Sequence, residues 1–478
     1  MFKPTPEQET ILDAARSTQD NLIINALAGA AKTTTLELIA RELRRSPILS
    51  LAFNKKIQLE MEKRLPDHVI AQTLNGLGHR AWARSIGKDL KLDTGKTRRI
   101  LKAEIDKLGK HARSDAYDQF SEILALVRTA KISGYIPPDS FKGTMRLTEV
   151  IPYEDPIDPA VQRLVDTVLR ASITEAFAGT IDFDDQIYMP TLFGGTFPRY
   201  ALVLVDEAQD LSSINHAMLS RLASSRLIAV GDPWQSIYGF RGSVAGGMDR
   251  LRQDYTCTKL DLSVSFRCPR RVVEHAHRRV PHMRWRPDAP DGSVEYLKEW
   301  SVSDIPDGAA VICRNNAPLF SLGFKLLREG RRSSMLGMDL GPSLLKQMRK
   351  FGPETMKTPT LLEAIESWEV AQLAKTNSSS AVKDKAECFR IFAAQGPNLA
   401  AACAYAEHLL KQEGPIQLMS GHKSKGLEFS TVFHLDPWRI PSKWAKEGEE
   451  TEQEKNIEYV ITTRAKQRLV HISMGGLQ

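Results

Sequence analysis

Three short groups of polar residues stand where the chain changes character. Asp206 and Glu207 follow the apolar run Ala201–Val205, and Asp232 and Gln235 follow Leu227–Val230. Lys32 and Thr33 follow the small-residue stretch ALAGAA, Ala26–Ala31. These residue types suit a phosphorylated substrate that carries a metal ion. Small residues let backbone N–H groups close around phosphate, a lysine adds a point charge, and a threonine hydroxyl can ligate Mg²⁺. A carboxylate pair allows one member to hold metal while the other stays free as a base.

Positioning these groups requires strands that end together. ALVLV and LIAV are short and β-branched-rich, as expected of strands buried on both faces of a parallel sheet, whose carboxyl ends are where such sheets bind ligands. Asn21–Ala40 reads as strand, small-residue loop and amphipathic helix opening at Lys32, the layout of a phosphate-binding P-loop. The pattern GxxxxGK[ST] has glycines where this chain carries Ala26 and Ala31, leaving Gly29. If position 31 takes a positive φ, its alanine costs roughly 1–2 kcal/mol.

At 478 residues the chain has room for about three domains of ~150 residues each. Its composition is that of a soluble globular protein, with no apolar run long enough for a bilayer, no signal-like leader and no membrane partner expected. Cys257, Cys268, Cys313, Cys388 and Cys403 form no CxxC pair, which speaks against zinc or a disulfide framework and for a reducing cytoplasm. His275 and His277 read as a polar helix face. The net charge of +7 fits a polyanion partner. The basic segments Arg41–Arg45, Lys96–Lys102 and Arg278–Arg286, and the acidic run Glu447–Asn456, each read as solvated faces.

Alternating strand-like and helix-like runs predict an α/β fold with two parallel-sheet cores, the first around the P-loop and each with a mainly helical insertion. The expected division is residues 1–80 and 180–255 for the first core (1A) and 81–179 for its insertion (1B). Residues 256–335 and 414–478 then form the second core (2A), with 336–413 as a small 2B-like insertion.

The motif order over nearly the whole length resembles a superfamily 1 DNA helicase of the UvrD/Rep/PcrA type. The resemblance implies that the two sheets are two RecA-like parallel-sheet P-loop NTPase cores. In that resemblance PTPEQ places Gln8 on adenine, and ALAGAAKTTT makes Ala28, Gly29, Ala30, Ala31, Lys32, Thr33 and Thr34 the phosphate loop. VDEAQD gives Asp206 to Mg²⁺, beside Thr33, and Glu207 to the attacking water. GDPWQSIYGFRG makes Gln235 a sensor of the γ phosphate and sets Tyr238, Phe240 and Arg241 against single-stranded DNA. LAFNKK and QTLNGLGHRAW imply DNA contacts from Phe53, Asn54 and Thr73, with Asn75 where the family usually has histidine. SVSFRCP and YVITTRAK put Phe266 on the adenine ring and Arg267 and Arg464 on the γ phosphate. GHKSKGLEF implies His422 and Lys423 near DNA, with Gly426 and Glu428 near the ribose. DFDDQI, Asp182–Ile187, resembles the stretch that returns the chain from the first insertion.

The resemblance thus implies an ATP- and Mg²⁺-dependent helicase or translocase moving 3′ to 5′ on single-stranded DNA, with ATP held at the 1A/2A cleft and single/double-strand junctions as substrate. Two alternatives stay open. One is an ATP-gated DNA-binding or loading protein with weak turnover, and the other is a helicase subunit that needs a nuclease, replication, repair or defence partner.

Overall fold

The computed structural model describes residues 4–43, 47–138, 147, 157–222, 226–237, 239, 246–337, 340–374, 379–443, 445 and 447–478. The chain forms two compact units, one of Met1–Ala26 with Ala31–Leu262 and one of Leu27–Ala30 with Ser263–Gln478.

The strands of the first unit are β1 (Leu22–Ala26), β2 (Ile48–Ala52), β3 (Val69–Thr73), β4 (Lys91–Leu92), β5 (Thr180–Ile181), β6 (Leu202–Val205), β7 (Leu227–Gly231) and β8 (Thr258–Leu262). Six of them make one parallel sheet in the order β3-β2-β6-β7-β1-β8. Every residue of β6 and β7 is buried, which is why both read as unbroken apolar runs. Because all strands run the same way, the segments after β1, β2, β3, β6 and β7 emerge along one edge.

The sequence reading put TKLDL at the start of the second core, and the structure corrects this. As β8 it pairs with β1 from Leu22↔Thr258 to Ala26↔Leu262. As an edge strand it exposes Thr258, Lys259 and Asp261 and so lacks the apolar signature of its neighbours. Between β4 and β5, which pair with each other, lies a helical segment that includes Lys96–Asp106, Phe120–Ser133 and Pro159–Phe177. It has an apolar core of its own around Leu101, Ile123, Val127, Val165 and Leu169.

The second unit contains β9 (Val264–Ser265), β10 (Arg284–Trp285), β11 (Ser293–Tyr296), β12 (Ala310–Cys313), β13 (Ser333–Met335), β14 (Ile416–Ser420), β15 (Phe429–Leu435) and β16 (Ala465–Ile472). Its main sheet is again six-stranded and parallel, in the order β11-β16-β15-β12-β14-β13. The segment between β13 and β14 is helical, and its described residues pack into the core of the second sheet. Phe389 and Phe392 of helix Ser379–Ala393 and Leu409 of helix Leu399–Lys411 share one apolar cluster with Phe320, Val311 and Leu418. The Phe392 ring meets Phe320 edge-on at 4.8 Å.

His275 departs from the polar-face reading. His434 on β15 stands opposite His471 on β16, His275 lies 4.9 Å from His471, and the Tyr296 ring stacks on His471 at 4.6 Å. Burial and the neighbouring imidazoles push His434 down to about 3. No helix among the described residues is long and apolar enough to cross a membrane.

Candidate active site

The loop after β1 leads into helix Lys32–Glu42, whose first turn carries Lys32, Thr33 and Thr34. No side chain caps this helix and no acidic residue occupies its first turn, so its N-terminal N–H groups present an open anion-binding end. Ala31 precedes it in the left-handed region at φ 58°, ψ 43°, so the conditional cost of an alanine here applies.

Asp206 and Glu207 leave the end of β6 beside this helix. The Thr33 hydroxyl donates to Asp206 Oδ2 at 3.2 Å, and Lys32 Nζ lies 3.6 Å from Glu207 Oε2. Burial, then the adjoining Glu207 carboxylate, push Asp206 up to about 6. A buried acid so short of positive charge, with a hydroxyl alongside, is a donor set that fits a divalent cation. Glu207 itself is left-handed, at φ 50°, the kind of strain found at functional sites.

Gln209 ties the two strand ends together. Its Nε2 donates to Glu207 Oε2 at 2.6 Å, while its Oε1 accepts the Asp232 backbone N–H at 2.9 Å. Gln235 Nε2 in turn donates to Asp232 Oδ2 at 2.6 Å, and burial raises the Asp232 carboxyl. Lys32, Thr33, Asp206, Glu207, Asp232 and Gln235 therefore meet at the ends of β1, β6 and β7. Gln209 had no role in the sequence reading. Its only signal was its place inside DEAQD.

Gln8 is fully buried, and both ends of its amide are engaged. Nε2 donates to Thr35 Oγ1 at 3.0 Å and Oε1 accepts the Thr5 N–H at 3.0 Å. Phe53 is exposed after β2, whereas Asn54 and Thr73 cap the helices Lys55–Arg64 and Leu74–Ile86 through Ile57 N–H and Gly76 N–H. Tyr238, Phe240 and Arg241 lie outside the described residues.

The second unit gathers the remaining candidates. Arg267 Nε donates to Glu428 Oε1 at 2.7 Å and its Nη1 to the Thr463 carbonyl at 3.4 Å. Arg464 is buried and donates to the Val460 and Leu427 carbonyls and the Thr463 hydroxyl. Burial and the nearby Arg267 charge lower it to about 10. Gly426 takes φ 83° two residues before Glu428, and Phe266 is partly exposed beside Arg267. Within this unit the Phe266 N–H donates to the Gly29 carbonyl at 2.9 Å and the Ala28 N–H to the Tyr459 hydroxyl at 3.0 Å. Tyr459 is a residue the sequence reading quoted without a role. Ala30 is buried in the same segment. His422 and Lys423 lie on the short helix Gly421–Ser424 that follows β14.

The family of the UvrD/REP helicase N-terminal domain matches residues 6–256, more than half of the 478-residue chain, and that of the UvrD-like helicase C-terminal domain matches 398–475. The chain belongs to the UvrD/REP helicase family. F-box DNA helicase protein 1 of Schizosaccharomyces pombe is 23% identical over 516 residues, covering 98% of this chain and 57% of that protein. ATP-dependent DNA helicase PcrA of Leuconostoc citreum is 25% identical over 331 residues, 61% of this chain and 42% of its own length. Putative ATP-dependent DNA helicase YjcD of Bacillus subtilis is 24% identical over 454 residues, 69% and 59% respectively. The chain spans about half the length of these curated relatives. With UvrD/REP membership, the two six-stranded parallel sheets are two RecA-like domains.

Proposed function

We propose that this UvrD/REP-family chain is an ATP-dependent DNA helicase or translocase that moves 3′ to 5′ on single-stranded DNA. The observation that carries the reading is the assembly of Lys32, Thr33, Asp206, Glu207 and Gln235 on one sheet edge, beside an uncapped helix end. Thr33 and Asp206 are the residues that would hold Mg²⁺, which would supply charge neutralisation at the phosphates. Lys32 and the helix N–H groups orient the phosphates. Glu207 holds the attacking water and accepts its proton, and Gln235 reports the γ phosphate through its bond to Asp232.

Arg267 and Arg464 serve the γ phosphate, the role that their motifs imply. Phe266 covers the adenine ring, and Gly426 and Glu428 attend the ribose. Phe53, Asn54, Thr73, Tyr238, Phe240, Arg241, His422 and Lys423 line the DNA track, with aromatic faces accepting any base for roughly 1–3 kcal/mol each. The polarity is taken by analogy with the UvrD branch, which the KGLEF form at Lys425–Phe429 resembles. The left-handed Ala31 favours, as a second reading, an ATP-gated DNA-binding protein whose turnover is slow.

Strand separation and ATPase on 3′-tailed, 5′-tailed and blunt duplexes test both readings. Unwinding confined to the 3′-tailed substrate, with ATPase stimulated by single strands, is the expected outcome. Equal unwinding from both tails would defeat the polarity. ATP-dependent DNA affinity without any unwinding would favour the second reading.

A further inference from the structure

Four charged side chains that the proposed reaction does not use lie inside the first unit. Lys96, Asp185 and Lys131 are essentially inaccessible, and Asp182 is 6% exposed. Lys131 Nζ bridges Asp182 Oδ2 at 2.7 Å and Asp185 Oδ1 at 2.8 Å. Lys96 Nζ donates to Asp185 Oδ2 and to the Ser172 carbonyl, both at 2.7 Å. The Thr97 hydroxyl donates to Asp182 as well. The two lysines come from different helices of the insertion, and the two aspartates from the turn that returns the chain to the sheet.

The aspartates also cap each other. The Asp182 N–H donates to Asp185 Oδ2 at 2.9 Å and the Asp185 N–H to Asp182 Oδ1 at 2.8 Å. Phe183 and Asp184 lie within the turn closed by these two hydrogen bonds, with Asp184 3.7 Å from Arg128. Phe183 is 54% exposed, and both residues line a cavity of about 170 Å³ with Phe53, Asn75 and Arg128. Asn75 tethers the same turn from the other side, its Nδ2 donating to the Phe183 carbonyl at 2.9 Å.

Stability alone does not call for such a cluster, since well-packed apolar residues in place of a buried ion pair are often neutral or stabilising. What charges add to packing is direction: each bond fixes where the turn stands. We propose that the Lys96–Asp185–Lys131–Asp182 cluster is a positioning device for strand engagement, holding the Phe183–Asp184 tip at the wall of the cavity that carries Phe53. The proposal rests on the DNA reading above. Lys131 lines the same cavity beside the tip, but its side chain is only 1% exposed, so its effect on the strand is exerted through the tip that it holds.

The test is ATPase of the full chain titrated with oligo-dT, comparing wild type with the paired variant Lys131→Met, Asp182→Asn, which leaves the Lys96–Asp185 pair in place. The half-saturating oligo-dT concentration should rise about tenfold, the equivalent of one lost base contact, while the KM for ATP and the DNA-free rate stay within twofold. Asn75→Ala, which loosens the same tip without touching the buried charges, should shift half-saturation in the same direction. Tyr135→Phe removes the buried hydroxyl bond to Asp166 elsewhere in the insertion and should leave half-saturation unchanged. Half-saturation within twofold of wild type in either tip variant, or an equal rise in Tyr135→Phe, overturns the proposal. A wild type that oligo-dT does not stimulate takes down the DNA reading and this proposal together, which separates the two failures.

Discussion

Replacing Ala31 with glycine is expected to stabilise the protein, although it removes a side chain from a functional loop. Ala31 stands at φ 58°, ψ 43°, where a Cβ costs roughly 1–2 kcal/mol. Glycine relieves that cost, but its freer unfolded chain offsets about 0.4–1 kcal/mol of the gain. Loss of a half-buried methyl offsets about 0.4 kcal/mol more. The balance is a gain of about 0.5 kcal/mol, or ~1–2 °C in the unfolding midpoint of a unit this size. Ala31→Val puts a β-branched side chain into the same region and should lower the midpoint by at least about 2 °C. Differential scanning calorimetry of the nucleotide-free protein reads both. A midpoint lowered by glycine and untouched by valine would refute the strain argument, because it would mean that the methyl is held by packing.

Glu207→Gln keeps the side chain's shape but removes the base, so turnover should fall at least about a hundredfold with nucleotide affinity kept within threefold. Equilibrium binding beside single-turnover hydrolysis checks this, and parallel losses would argue against the base role. Asp182 supplies an acid-stability signature. Burial alone would raise it, but Lys131 and Thr97 hold its carboxyl down to about 2, against an ordinary 3.8. Its contribution, about 2 kcal/mol, is complete above pH 3.8 and is lost as pH falls through 2. Asp182→Asn should flatten the stability curve in that window. His434 acts at higher pH. Its unfolded form takes up a proton below 6.5 while the folded form resists until about 3, so stability present above pH 6.5 drains away as pH drops. His434→Leu should reduce the urea-midpoint slope between pH 6 and 4.

The cluster on the first sheet was legible because its residues sit at the ends of strands buried on both faces, which leave apolar runs with polar termini. Asp206 and Asp232 advertise themselves in this way. Thr258–Leu262 was assigned to the wrong sheet, because the exposed threonine, lysine and aspartate of an edge strand do not reveal which sheet it borders. Lys96 was misread for a different reason. Its segment is rich in basic residues, and nothing local reveals that its partner is Asp185, 89 positions away. Glu454 was misread likewise. It sits in an acidic run that looks solvated, yet it is buried against Arg314. At Ala31 the sequence left the torsion conditional on the loop pattern, and the structure supplies the left-handed value.

The helices between β13 and β14 lend their aromatic faces to the same apolar interior as the second sheet. They should therefore melt with it, and their amides should exchange with solvent at rates set by global opening rather than by a local hinge. A shortened chain lacking these helices would bare Phe320 and Leu418 to water and aggregate. In this protein the helices between β13 and β14 are a wall of the second sheet's interior rather than an appendage to it.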